Sequence, residues 1–280
     1  MIVGILGGGV MARGIFSLCS INPDIEKLYI WIRNKENIEV VADKVNGDIK
    51  RLSRKKEVDY DSIISKLVFT DSLLELRDVD LFIEAVSEDY AVKSEVISCV
   101  NKVAKSGSIF SSNTSSLSIT ALSMSFKYPE NFIGMHFFNP VSMMNLVEIV
   151  KGLNTSQDVI DQILNLSISL DKAPVLVNES PGFIVNRMLI PMINEAISIL
   201  AEGVAKKEDI DKAMKLGANH PLGPLSLADL IGNDVCLSIM ESLHEETGDP
   251  KYRAHPLLRR YVRAGFLGRK VNKGFYSYAK

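Results

Sequence analysis

The 280-residue sequence predicts an α/β protein, with a mostly parallel, doubly wound sheet over residues 1–180 and an all-helical domain over 181–280. Three observations predict it. The apolar strand Ile2-Val3-Gly4-Ile5-Leu6 runs directly into Gly7-Gly8-Gly9-Val10-Met11-Ala12, which opens a helix. Short apolar runs then alternate with helix-forming stretches as far as Val177. From Pro181 the strand signals stop and helical patterns take over.

Strand, glycine turn and helix form the first element of a dinucleotide-binding, Rossmann-like domain. The backbone must bend tightly at Gly7 and come close to a pyrophosphate at Gly9, whose charge then rests on the helix N-terminus. Gly7, Gly9, Val10, Met11 and Ala12 are therefore the expected cofactor-binding turn, with Ala12 in the position where the motif allows Gly or Ala. Lys27 to Ile32 reads as the second strand, and at its end an acidic residue normally bonds the ribose 2′-hydroxyl. Here the sequence runs Ile32-Arg33-Asn34-Lys35, with no carboxylate. An arginine fork matches a 2′-phosphate, so NADP(H) is expected over NAD(H). The competing reading of Arg33 is stacking on adenine or a solvent-facing side chain.

Residues 36–66 read as a charged helical arm with Gly47 a candidate break, and residues 50–56 hold five cations, Lys50 and Arg54 among them. Such a run either meets a polyphosphate or is a solvated helix face. Strands follow at 67–70 and 80–84, then a helix from Tyr90 to Ala104 that carries Lys93. Glu88 and Lys93 stand just past a strand end, where parallel sheets place ligand contacts; simple helix-terminal charge is the alternative. Strand 108–111 delivers Ser112-Asn113-Thr114-Ser115-Ser116, polar enough to cap the next helix and also to offer a ligand hydroxyls and amides. A last strand is expected at 171–177. Phe183–Glu202 is apolar on nearly every face, with Pro191 a candidate kink, and calls for a second subunit as its cover. Helices at 206–216, 225–231, 234–247 and 255–264 complete the chain.

Composition removes several function classes. A formal net charge of −2 gives no basic field for nucleic acid. Cys19, Cys99 and Cys236 stand far apart, and the four histidines include no HxxxH pair, so neither a disulfide framework nor a metal site is expected. The first strand begins at residue 2, leaving no room for a signal peptide, and no apolar run approaches the ~18 residues of a membrane span. A cytoplasmic protein is expected.

The chemistry centres on Gly134-Met135-His136-Phe137-Phe138-Asn139-Pro140 and on Glu148. If 132–137 and 146–150 pair as a hairpin closing near Ser142, positions 136 and 148 face each other, because the two numbers average to 142. Directly opposed residues lie about 4.5–5.5 Å apart at Cβ, so Glu148 could hold one imidazole nitrogen while the other meets a substrate. A histidine among aromatics is also found as a satisfied core residue.

Taken together, Ser112-Asn113-Thr114-Ser115-Ser116-Leu117, Gly134 to Pro140, and Pro181-Gly182-Phe183-Ile184-Val185-Asn186-Arg187 resemble the 3-hydroxyacyl-CoA dehydrogenase family, most of all its short bacterial 3-hydroxybutyryl-CoA members. The resemblance continues through Asn219 to Pro224 and Lys273-Gly274-Phe275-Tyr276. It implies a helical C-terminal domain that dimerises and a CoA thioester substrate. By position it implies His136 as base, Glu148 as its orienting carboxylate, and Ser115 and Asn186 as the groups around the reacting oxygen. It places Asn139 beside the substrate, makes Glu88, Lys93 and Asn113 cofactor-side contacts, and turns Lys50 and Arg54 toward CoA phosphates. Ile32 and Arg33 depart from the family's usual aspartate. The expected reaction is hydride transfer between NAD(P)(H) and a 3-hydroxyacyl-CoA/3-ketoacyl-CoA pair, with acetoacetyl-CoA foremost. The rivals are a dehydrogenase of free hydroxy acids and a non-catalytic nucleotide-binding protein.

Overall fold

The structure, a computed structural model, describes residues 1–278 and divides into two compact units, Met1–Ser180 and Pro181–Lys280. The first unit is built on one eight-stranded sheet. In chain order it comprises β1 (Ile2–Leu6), α1 (Val10–Ser20), β2 (Lys27–Trp31), α2 (Ile38–Lys56), α3 (Tyr60–Ile64), β3 (Leu67–Thr70), β4 (Leu81–Glu84) and α4 (Tyr90–Val100). Then come β5 (Ile109–Ser112), α5 (Ile119–Ser123), β6 (Phe132–Phe137), β7 (Leu146–Lys151), α6 (Gln157–Ser169) and β8 (Ala173–Asn178).

The strands lie in the order β3-β2-β1-β4-β5-β6-β7-β8. Every neighbouring pair is parallel except β6 with β7. β1 is flanked by β2 on one side and β4 on the other, so the winding reverses there, and ligands of such sheets bind at the strand ends beside that reversal. The central strands β1, β2 and β4 are buried on both faces, as parallel strands covered by helices must be. Val3, Ile5, Leu28, Ile30, Leu81 and Ile83 are buried in the main core.

Three elements differ from the expected pattern. The arm is not broken at Gly47: α2 runs through it and ends at Lys56, where Glu57 turns left-handed at φ 55. α4 stops at Val100, four residues early. α6 has no counterpart among the expected elements. Its buried residues Val159, Ile160, Ile163, Leu166 and Ser167 fall on one helical face, and the Ser156 hydroxyl caps it by accepting from the Val159 N–H.

The second unit holds α7 (Val185–Ala201), α8 (Lys207–Gly217), α9 (Pro224–Ile231), α10 (Asn233–Thr247) and α11 (Pro256–Arg263) around Ile193, Ile197, Leu225, Met240 and Leu258. α7 runs through Pro191 as a single helix. Its inward face is apolar, while Met188 is 72% exposed. The C-terminal segment is pinned by one buried carboxylate: Asp229 accepts from the Phe275 N–H at 2.8 Å, the Tyr276 N–H at 2.9 Å and the Tyr278 hydroxyl at 3.1 Å. Gly274 is required there, because a Cβ would stand 1.8 Å from Asp229 Oδ1. Among the described residues no helix is long and apolar enough to cross a membrane.

Candidate active site

The glycine turn sits at the ends of β1 and β4. Gly7 adopts φ +125, and a Cβ on it would stand 2.8 Å from the Ala85 carbonyl oxygen. A side chain is excluded there on both counts. Above Gly9 an added Cβ would meet nothing within 4 Å, and Gly9 is the N-cap of α1 with no side-chain cap bond. An open approach to the bare N–H groups of a helix fits a pyrophosphate. Ala12 is fully buried under the helix and Val10 is 61% exposed, so the turn presents Val10 and Gly9 outward and uses Ala12 to pack.

β6 and β7 pair with His136 opposite Glu148. His136 Nδ1 lies 2.7 Å from Glu148 Oε2, and both residues are buried. A carboxylate can only accept, so Nδ1 carries the hydrogen of this bond and Nε2 is the basic nitrogen. The Phe138 ring, 4.5 Å from the imidazole centroid to centroid, packs against the pair. Asn113 supports the same strand, its Oδ1 accepting from the Phe137 N–H at 2.9 Å.

A second buried constellation joins β4, α4 and the segment after β5. Lys93 is 1% exposed, with its ammonium 2.8 Å from Glu84 and 3.3 Å from Glu88. Glu84 also accepts from the Ser112 hydroxyl at 2.7 Å and the Val86 N–H at 2.7 Å. Glu88 accepts from the Thr114 hydroxyl and the Ser115 N–H, each at 2.7 Å, and from the Ser115 hydroxyl at 3.0 Å. Burial pushes the Glu88 carboxyl up, but the Lys93 ammonium and these donors outweigh it and hold the carboxyl below its ordinary value. Lys93, expected as a direct ligand contact, is therefore committed to two carboxylates and bears on its surroundings through Glu88. Ser115, expected to donate to the reacting oxygen, has its hydroxyl oxygen 3.0 Å from Glu88 Oε1.

A cavity of about 330 Å³ lies between α1, α2 and the segment 139–143. Its cations are Arg13, Arg51 and Lys55, and Asn139 forms part of the facing wall. The expected pair Lys50 and Arg54 is not on this wall: both are exposed, and α2 turns them elsewhere. Successive helical residues differ by about 100° in direction, so 48, 51, 52 and 55 share one face while 50 and 54 occupy another. Reading that period from Asp48 would have picked out the cations that line this cavity. Glu84 and Arg13 were not among the candidate residues that the sequence offers. Glu84 had a signal in principle, as a lone carboxylate closing an apolar strand.

Arg33 stands just past β2, half exposed, with Nη1 3.1 Å from Glu95 Oε2. Asn186 belongs to the first turn of α7 in the second unit.

A doubly wound sheet with an open glycine turn, beside a buried imidazole steadied by a carboxylate, defines a nicotinamide-dependent dehydrogenase. Residues 2–180 match the 3-hydroxyacyl-CoA dehydrogenase NAD binding domain, and residues 182–278 match the 3-hydroxyacyl-CoA dehydrogenase C-terminal domain. The chain belongs to the 3-hydroxyacyl-CoA dehydrogenase family. It is 47% identical to the 3-hydroxybutyryl-CoA dehydrogenase of Clostridioides difficile over the full length of both chains, and 36% identical to the human mitochondrial hydroxyacyl-coenzyme A dehydrogenase over 99% of this chain and 90% of that one. Among solved structures it is similar to the (S)-3-hydroxybutyryl-CoA dehydrogenase of Ralstonia eutropha, with a TM-score of 0.95 at 41% identity, covering 100% of this chain and 99% of that one.

Proposed function

We propose that the protein interconverts 3-hydroxybutyryl-CoA and acetoacetyl-CoA, with His136 as the acid/base. The observation that carries this reading is the 2.7 Å bond between His136 Nδ1 and Glu148 Oε2, inside a chain of this family. The nicotinamide, when bound, supplies the carbon that takes or gives the hydride. The chain supplies the proton handling. His136 Nε2 accepts the substrate hydroxyl proton in oxidation and returns it in reduction, a role worth ~10²–10⁴ in rate. Glu148 keeps the hydrogen on Nδ1 and stabilises the imidazolium. Ser115 and Asn186 are the proposed donors to negative charge developing on the reacting oxygen, each worth ~10²–10³.

The cofactor proposed is NADP(H), because Arg33 stands where a ribose carboxylate is usual and its guanidinium matches a 2′-phosphate. The cations proposed for the CoA phosphates are Arg13, Arg51 and Lys55, which share one cavity wall. The free state of Cys19, Cys99 and Cys236 suits a reducing cytosol. A homodimer through α7 is supported by the exposed side chains Ile184 and Met188; light scattering at twice the 31.0 kDa chain mass is the expected reading.

The deciding experiment is a steady-state comparison of acetoacetyl-CoA with acetoacetate, each with NADPH and with NADH. Turnover of the thioester and not of the free acid, with NADPH preferred, is expected. Turnover of acetoacetate alone would refute the substrate, and an NADH preference would refute the Arg33 assignment while leaving the reaction intact.

A further inference from the structure

One buried cation takes no part in the chemistry described so far. Lys172, the residue before β8, is 8% exposed, and its ammonium donates to the carbonyl oxygens of Val141 at 2.6 Å and Met144 at 2.8 Å. Both acceptors lie in the segment that connects β6 to β7. That segment has little regular bonding of its own, a turn in which the N–H groups of Met143 and Met144 both reach the Pro140 carbonyl at 3.0 Å. A lysine is rarely buried without a function for its charge, since an ammonium removed from water must find partners. Here the partners are two main-chain oxygens of one loop.

The neighbouring contacts show what the ammonium fixes. On the loop's other side, Val141 rests on α1 at Gly14, where an added Cβ would stand 2.9 Å from Val141 Cγ2. Asp171, adjacent to Lys172 and left-handed at φ 56, pairs at 2.7 Å with Lys56 in the last turn of α2. The loop walls one side of the cationic cavity and α2 walls the other. Both walls are thus tied to the same dipeptide, Asp171-Lys172. The hairpin does not need this tie for its register, because β7 is already bonded along its length to β6 and β8.

We propose that Lys172 is a positioning residue for the nucleotide end of the substrate: it holds segment 139–143 at the distance from α2 that the CoA phosphates require. The proposal rests on the reading that this cavity receives the phosphates. Lys172 sits behind the wall and acts by placing it. Loss of the ammonium frees the loop from its rear anchor while leaving His136, Glu148 and the glycine turn in their ladders.

The test uses two thioesters, acetoacetyl-CoA and acetoacetyl-N-acetylcysteamine, which carries the same acyl group without the nucleotide. In Lys172→Met, KM for acetoacetyl-CoA should rise about tenfold, the size of one displaced charge-assisted contact. KM for the truncated thioester and kcat for both should stay within about twofold, and Lys172→Arg should recover part of the loss. An equal change for the two thioesters, or none for either, overturns the proposal. A thermal melt checks folding, and should the methionine variant not fold, Lys172→Gln, which keeps N–H donors, is measured in the same way. If the wild-type enzyme itself handles both thioesters with equal kcat/KM, the cavity reading fails first and the proposal falls with it.

Discussion

The His136–Glu148 pair and the cationic face of α2 lie in the same unit and are built in opposite ways. The pair is buried, twelve residues apart in the chain, and set in register by main-chain hydrogen bonds on both sides of Glu148. The face is exposed, carried by long flexible side chains at helical spacing, with Arg51 reaching Asp48 at 2.5 Å. The difference teaches a division of labour. A proton must pass between fixed atoms, so that site is placed in a ladder. The polyphosphate site proposed for α2 needs only accumulated charge within reach, for which a solvated helix suffices.

The first way to break this comparison is at the base. His136→Gln should lower kcat by ~10³ while leaving KM for the thioester within about twofold, since the imidazole acts on the proton and not on the nucleotide. A pure KM effect in steady-state assays would show that the histidine binds and does not catalyse. Glu148→Gln should follow with a kcat loss of roughly 10². The amide keeps the shape but offers Nδ1 no negative charge, so the imidazolium loses its stabiliser.

The opposite face should respond in the other parameter. Arg51→Ala with Lys55→Ala should raise KM for acetoacetyl-CoA about tenfold at low ionic strength, with kcat little changed and the deficit shrinking as salt is added. Lys50→Ala with Arg54→Ala should raise it less than twofold. If the two double variants behave alike in kinetics across a salt series, helix direction is irrelevant and only the sum of charge matters.

The smallest effect concerns acid stability. Glu88 has a carboxyl held below its ordinary 4.5. A depressed carboxyl stabilises the fold above the unfolded-state value, and that contribution disappears as pH falls through the lower folded value. Melting curves of wild type and Glu88→Gln should therefore differ near neutrality and converge as the pH drops below about 4. Parallel curves throughout would mean that the carboxylate is not what Lys93 and Ser115 hold.

Much of the site was legible because its signals are local. Strand 2–6 followed by Gly7 and Gly9 is a continuous stretch, and the arithmetic that set 136 opposite 148 needs only a hairpin. α6 was missed although Val159, Ile163 and Leu166 keep the helical period, since its many β-branched residues and serines favour no helix by propensity. The Glu84–Lys93–Glu88 cluster was legible only in part: Glu88 and Lys93 stand out just past a strand end, but the ammonium's pairing with both carboxylates depends on how α4 packs back onto the end of β4. Lys172 was invisible for a related reason. In sequence a buried lysine looks like any other, and its acceptors are carbonyl oxygens, which every residue has.

One consequence of the sheet order concerns motion. β7 is an interior strand, bonded to β6 on one side and β8 on the other, and Glu148 faces His136 across one ladder and Val175 across the other. A carboxylate planted there cannot follow an imidazole that strays, so whatever breathing lets substrates come and go must leave these two strands at rest. In native-state hydrogen exchange, the amides of 146–150 should be among the last in the chain to take up deuterium.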